Sequence, residues 1–537
     1  MRKLIAAIGA AALLSTAAVA IAPSAYAAAP TCTKDSNGLE TCNGALSNGA
    51  TYEIKVPAKF GGTFFYWNHG IKFTYPVPGY IKVPTGIEEL TPNDLPTTSM
   101  LRAGYGLATY DGVSTGGLRG WNTVDRVEML KELIDIVRAK YTVKKGVIYG
   151  SSQAGSVMTP FIEKYPTYAD AVGIMAGVTP SIGQEVQSLC DSFYILSVFA
   201  DPTIKGCAAF GVKGLAGHYA SIAEFQKVGA LLQAWSLNLG APAIEYPAAL
   251  KPYGIPQRSA LLLTGLLMGL PAKSAHMDGI TTSDLVPEQS INATVAILEN
   301  FGEALATGTF GGQAISEITG PGFYDNTKTD WFSLLDPADS GRYNLGLSGD
   351  DAINAMLGVL SMAPRVKGDP AAVEKLKNLD KSKFDTTKPV VLLSNEADRL
   401  VFAGNGALYV DKARAVYDAK LATYEAARDA AKTSEARAAA AKLKPIWNVV
   451  SLYAMTPATY TKYTAAGLPD FAAAPSPSGV GHQTFTLKQM MAWVKILAHA
   501  ADTGKVGSPG YLKEYIKKAP YLNSDLDYRP ADLKYIW

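Results

Sequence analysis

Tyr149-Gly150-Ser151-Ser152-Gln153-Ala154-Gly155 decides how this chain is read. The segment follows a short run rich in β-branched residues, Gly146 to Tyr149, and precedes a helical pattern that continues through Lys164. A serine held on a sharp turn from strand to helix needs small residues two places before and two places after it, because the backbone doubles back there. Ser152 meets this condition, with Gly150 before and Ala154 after. Ser151 is flanked at those places by Tyr149 and Gln153, and Ser156 is followed by Met158. Ser152 is therefore the candidate nucleophile. The helix beyond it offers backbone N–H groups and the positive end of a dipole to a developing oxyanion, and the Gln153 N–H is one expected donor. The competing reading of the same residues is an ordinary serine-rich helix cap.

Outward from this turn, strand and helix patterns alternate. Gly62 to Asn68 and Leu107 to Tyr110 read as strands. Trp121 to Tyr141 reads as a helix, with Asn122 as N-cap and Val127, Leu130, Leu133, Ile134 and Val137 at helical spacing. Ala171 to Met175 is a further strand. Such alternation implies a doubly wound, mainly parallel sheet of the α/β class. Between about Pro180 and Asp385 the rhythm is lost. The segment is rich in Gly, Ala and Leu and reads as a large, mainly helical insertion, whose apolar run Leu261 to Leu270 is expected to serve core packing ahead of contact with an acyl or aromatic group. The sheet resumes at Pro389 to Ser394 and again at Asn448 to Ala454. Ala407 to Leu443 reads as one or two exposed helices. Thr486 to Asp502 reads as a last helix, with Thr486 and Gln489 in capping-box spacing. The expected division is a leader over 1–27, a first core part over 28–180, a cap over 181–385 and a second core part over 386–537.

Only five histidines are available as a general base. His482 lies in Gly479-Val480-Gly481-His482-Gln483, a flexible turn between the last strand and the last helix, from which an imidazole can be aimed over the sheet edge. The partner that holds the imidazole tautomer should be a carboxylate. Asp398 and Glu396 both follow the strand Pro389 to Ser394, and the turn carries Asp398 further out.

The chain has 537 residues, 48% of them hydrophobic and 18% charged, which suits a large folded core rather than a disordered or coiled-coil protein. A formal net charge of +2 gives no global reason to bind nucleic acid or an anionic membrane. Arg2 and Lys3, the apolar stretch Leu4 to Ile21 and Ala25-Tyr26-Ala27 form a secretory leader pattern, with cleavage expected after Ala27 or after Ala29. An extracellular destination favours disulfides, and proximity favours Cys32 with Cys42 and Cys190 with Cys207. Their spacing is not that of a metal site, and no metal or cofactor is expected.

The order Ser152, Asp398, His482, each near a strand end, resembles the α/β-hydrolase superfamily. Trp67-Asn68-His69-Gly70 is similar to the His-Gly segment that lines the oxyanion hole in many members. The resemblance covers about Gly61 to Met175 and Pro389 to Asp502. It departs at Ala154, where Gly is commonest, and in the long stretch from Ala454 to His482. It implies a secreted serine hydrolase of the esterase, lipase or capped-peptidase type. Ser152, His482 and Asp398 would then be catalytic, and Gln153 together with His69, Gly70 and Ile71 would line the oxyanion and substrate site. A small-molecule or polymeric ester is the expected substrate, with no nucleic-acid partner and no stable membrane insertion; the oligomeric state is left open. A peptidase or amidase using the same three residues is the first alternative, with Glu185, Asp191 and Asp201 available to hold an amino terminus. A non-catalytic binding protein on the same fold is the second.

Overall fold

The computed structural model describes residues 30–534 apart from 74, 78–81, 84–85, 113–120, 180–181, 239–246, 280–286, 380–381 and 466–468. The leader expected over 1–27, with both of its cleavage points, lies outside the described residues. The chain forms strands β1 (Thr31–Lys34), β2 (Glu40–Ala45), β3 (Thr51–Val56), β4 (Thr63–Asn68), β5 (Gly106–Tyr110), β6 (Lys145–Ser152), β7 (Ala171–Gly177), β8 (Val390–Asn395) and β9 (Val449–Ala454). They make one nine-stranded sheet in the order β1-β2-β3-β5-β4-β6-β7-β8-β9. From β5 to β9 every neighbouring pair is parallel, while β1 to β3 are antiparallel and β3 joins β5 antiparallel. This order, with the sharp turn after β6, is the α/β-hydrolase fold.

The parallel strands are covered on both faces, so they read as continuous apolar runs rather than as alternations. β5, β7 and β8 are buried along their whole length. One face is covered by the helices Thr123–Lys140 and Gly155–Lys164 and by the start of Gly404–Ala430. The other is covered by Leu487–Thr503, whose Trp493 lies fully buried against the sheet and donates from Nε1 to the Val391 carbonyl at 3.0 Å. Gly173 makes this approach possible: a Cβ there would stand 2.7 Å from both Trp493 and Leu497. The capping box of that helix is present, with Gln489 N–H on Thr486 Oγ1 and Gln489 Oε1 accepting from Thr486 N–H.

Three strands precede the first one legible in the sequence. β1 and β2 are short, polar and largely accessible, so they carry little hydrophobic signal. Cys32 and Cys42 stand directly opposite in their register and are joined by a disulfide. Asn122 occupies the position before the helix Thr123–Lys140, as expected, but its side chain does not cap the helix. It donates instead to the carbonyl of Gly112, just beyond β5. Gly404–Ala430 and Ser434–Ala441 are exposed over most of their length, but the first turns, through Tyr409, are buried on the sheet.

Between β7 and β8 the described residues contain helices and no strand of the sheet. Gln257–Met268 is buried except at Arg258 and packs with Ile182–Phe199 and Pro287–Thr319 around a separate apolar core that includes Phe193, Leu261, Leu262 and Trp331. The Cys190–Cys207 disulfide ties Ile182–Phe199 to the turn Gly206–Ala209. A loop of this length is worth about 3 kcal/mol in the chain-entropy picture. Lys273 Nζ, in the loop after Gln257–Met268, meets Glu396 Oε1 at 2.7 Å, and Arg399 pairs with Glu303. These charges clamp the insertion to the carboxyl ends of the strands.

Candidate active site

Ser152 is the last residue of β6 and has φ +54°, and the pairing with β7 shifts register between Ser151 and Ser152. A non-glycine residue in that conformation costs on the order of 1–3 kcal/mol and persists only where its surroundings enforce it. The surroundings here are tight. A Cβ on Gly150 would lie 2.6 Å from the Ala154 Cβ and 2.7 Å from the Asn68 carbonyl oxygen, and one on Gly155 would lie 2.9 Å from the backbone of Gly177. The small residues noted in the sequence are the condition for the turn. Ser151, buried, points its hydroxyl to Gln483 Oε1 at 3.1 Å and not toward the cavity.

His482 and Asp398 are brought together. His482 Nδ1 lies 2.9 Å from Asp398 Oδ2 and 3.2 Å from Oδ1. Asp398 is itself almost wholly buried and accepts at Oδ1 from the N–H groups of Leu400, at 2.8 Å, and Val401, at 3.0 Å. Glu396, the rival carboxylate, faces away: it takes Lys273 on Oε1 and the N–H and hydroxyl of Thr456 on Oε2, each at 2.8 Å. The long stretch before His482 still delivers it accurately because its end is laced to the chain around Asp398. Ala397 N–H donates to Gly479, Gly481 N–H to Ala397, and Asn395 Nδ2 to Gly481, at 2.8, 3.1 and 2.9 Å. Earlier in that stretch, Tyr460 and Thr461 donate from their backbones to Asp278 of the insertion.

Gly70 faces Ser152 closely, since a Cβ there would stand 3.1 Å from the serine Cβ. His69 lines the cavity together with Ser152, and both nitrogens of its ring are tied to neighbouring backbone. Gly112 N–H donates to its Nε2 at 2.8 Å, and its Nδ1 donates to the Gly70 carbonyl at 2.6 Å. The residue thereby shapes the loop from within. Arg126, fully buried, crosses from the helix Thr123–Lys140 to donate to the His69 carbonyl and, at 2.9 Å, to Gln153 Oε1. It fixes both halves of the expected oxyanion site to one another. Sequence reasoning passed it over, yet a signal was there. An arginine in a helix's first turn opposes the dipole, and this one sits next to Val127 on the apolar face.

Ser152, His482, Gly70 and Ile71 open into one cavity of about 370 Å³. Its far wall comes from the insertion: Ile182, Glu185, Val186 and Leu189 on one helix, and Ala304, Gly308, Gly311 and Ile315 on another. Glu185 is half-buried here and accepts from Asn405 Nδ2 at 2.5 Å. Burial pushes its carboxyl up to about 8, against the pull of the Asn405 hydrogen bond and with the help of the Asp398 charge nearby. Asp191 and Asp201 do not line this cavity. Asp191 is buried inside the insertion, with Tyr324 Oη at 2.5 Å, and Asp201 sits at a turn, accepting from Thr203 N–H.

The α/β-hydrolase class is thus defined by the sheet and its turn. No protein-family model matches the chain, and no curated protein matches it. Among solved structures it is similar to an esterase from Aspergillus oryzae, at 14% identity over 71% of this chain and 69% of that one, with a TM-score of 0.27. It is also similar to brefeldin A esterase, described as a bacterial homologue of human hormone sensitive lipase, at 10% identity over 91% and 81% of the two chains and a TM-score of 0.31. The rice cell wall degrading esterase LipA from Xanthomonas oryzae matches at 12% identity over 70% and 79%, with a TM-score of 0.28. The fold stands on the strand order and the turn after β6.

Proposed function

We propose that the protein is a serine hydrolase that cleaves carboxylic esters through an acyl-enzyme on Ser152. The observation that carries this reading is the His482–Asp398 pair beside a serine at positive φ, with Ser152 and His482 open to one cavity. Ser152 Oγ adds to the acyl carbon while His482 Nε2 takes its proton, and Asp398 holds the Nδ1–H tautomer. Collapse of the tetrahedral adduct expels the alcohol, which takes the proton back. Water then repeats the sequence, releasing the acid and freeing Ser152. The Gln153 N–H and the backbone from His69 to Ile71 receive the oxyanion. The insertion acts as a cap that sets acyl-group choice. The two disulfides and the leader pattern support a secreted protein, and among the described residues no helix is long and apolar enough to cross a membrane. Amino-terminal sequencing of exported protein checks the leader, with a start after Ala27 or Ala29 expected.

The test is a fluorophosphonate probe, with the adduct mapped by mass spectrometry. Labelling of Ser152, and hydrolysis of p-nitrophenyl esters faster than of matched anilides, is the expected result. An adduct elsewhere, or none, removes the reading.

Glu185 supports a second reading, an amidase or peptidase that takes a substrate with a free amine. Among the described residues no salt bridge pairs the Glu185 carboxyl with a cation, and a carboxyl whose burial raises it gains from an ammonium group. Under this reading Glu185→Gln raises KM for an amino-acid ester far more than for its N-acetyl form. An equal effect on both leaves the ester reading alone.

A further inference from the structure

The nitrogen that must take the proton is already engaged. Gln483 Nε2 lies 2.9 Å from His482 Nε2, while Gln483 Oε1 accepts from the Ser151 hydroxyl at 3.1 Å. Donors and acceptors agree along the whole line. Ser151 O–H donates to the amide oxygen, the amide N–H donates to His482 Nε2, and His482 Nδ1–H donates to Asp398. Among the described residues, no hydrogen bond joins Ser152 Oγ to His482. The amide also occupies ground that substrate needs. A Cβ placed on Gly70 would be 3.5 Å from Ser152 Oγ and 3.5 Å from Gln483 Nε2, so hydroxyl and amide flank the same small space. The main chain of Gln483 is held at φ +58°, and its carbonyl accepts from Asn93 Nδ2 at 3.2 Å and Phe485 N–H at 3.1 Å. The backbone is pinned, and the side chain has three rotatable bonds with which to leave.

We propose that Gln483 is a positioning residue that latches the general base: its carboxamide holds His482 Nε2 in the empty site and yields it to Ser152 when an acyl group enters beside Gly70. The proposal rests on the serine-hydrolase reading. It means that a small reagent, unable to push the amide aside, meets a base that is mostly occupied. A substrate that fills the space by Gly70 releases it.

The experiment measures the second-order rate of labelling by a short-chain fluorophosphonate, in which Ser152 Oγ bonds to phosphorus, fluoride leaves and the serine proton passes to His482. Gln483→Asn tolerates a positive φ but is one methylene too short to bridge. It is expected to label about fivefold faster than the parent chain, the equivalent of one ordinary hydrogen bond. Ser151→Ala, which frees the other end of the latch, is expected to act in the same direction and more weakly. The double variant should match Gln483→Asn alone, because the two residues act through one contact. With a long-chain ester the gain in kcat/KM should fall on KM with kcat unchanged, because the bound acyl group has already displaced the amide, a split that a merely structural role does not produce. Equal or slower labelling in Gln483→Asn, or additive effects of the two substitutions, overturns the latch while leaving the hydrolase reading intact. Absence of Ser152 labelling in the parent chain and all variants overturns that reading and the latch with it.

Discussion

The sheet edge around Ser152 and the helical wall across the cavity are held in different ways. At the edge, the backbone dictates almost everything: positive φ at Ser152, Gly150 pressed against Ala154, and N–H groups of Leu400 and Val401 on Asp398. On the wall, side chains hold the position: apolar ones from Ile182–Phe199 and Pro287–Thr319 pack together, while Asn405 holds Glu185 and Arg399 holds Glu303. An arrangement fixed by backbone tolerates no substitution in place, whereas a wall of side chains can be resized one residue at a time. Reaction type should therefore belong to the edge and substrate choice to the wall.

The sharpest way to break this division is Ser152→Ala. Turnover should fall by roughly 10⁵-fold or more, with the thermal unfolding midpoint little changed, since alanine takes the same positive φ and, among the described residues, no hydrogen bond of the Ser152 hydroxyl is lost. Substantial residual hydrolysis would move the chemistry away from the edge. Asp398→Asn comes next. It keeps the shape but offers His482 the wrong hydrogen-bonding partner, and should cost on the order of 10⁴-fold in kcat. Glu396→Gln should leave kcat nearly untouched, because Glu396 is occupied by Lys273 and Thr456. Steady-state kinetics on both variants separates the two carboxylates.

The edge was legible in the sequence because its rules are local. Small residues around Ser152, a Gly-flanked His482 and a carboxylate just past an apolar strand are all visible without knowing what packs where. The wall was legible only as helical and apolar. Which of its faces looks into the cavity depends on long-range packing, so Glu185 could be named but not placed, and the spacing of Ala304, Gly308, Gly311 and Ile315 was indistinguishable from a core stripe. Gln483 was missed for a different reason. Its role depends on a contact with the side chain of Ser151, 332 positions away, and nothing local to either residue announces it. The antiparallel strands β1 and β2 escaped because they are short and face water.

Glu185 provides a third, smaller test. Its folded carboxyl stands at about 8 and its unfolded one near the ordinary value, 4.5. Between these two pH values the folded chain keeps a proton that the unfolded chain releases, so stability falls as pH rises through that window. The contribution is fully present below about 4.5 and lost above about 8. Glu185→Gln removes it. The variant should lose less stability than the parent between pH 5 and pH 8, the difference growing to on the order of a few kcal/mol at the upper end. Urea unfolding across that range measures it. Parallel curves would mean that the carboxyl is hydrated in the cavity and that the wall is less closed than its lining suggests.

The smallest expected effect bears most directly on what the wall does. Gly308 and Gly311 both line the cavity, but they differ in the space beside them. A Cβ on Gly308 would stand 2.6 Å from Leu189 Cδ1, so a larger residue there has to displace a neighbour. A Cβ on Gly311 meets nothing within 4 Å. Gly311→Leu therefore narrows the cavity without disturbing the wall. It also removes a glycine from a helix interior, which favours the folded state by about 0.5–1 kcal/mol. Removing room for one or two methylenes is worth roughly 1–3 kcal/mol in discrimination. The ratio of kcat/KM for a long-chain ester to that for an acetyl ester should accordingly drop about tenfold or more, with the acetyl ester little affected and the unfolding midpoint no lower. An unchanged ratio would show that the acyl group does not lie along Pro287–Thr319, and selectivity would have to be sought in the loop between Thr456 and Gly481.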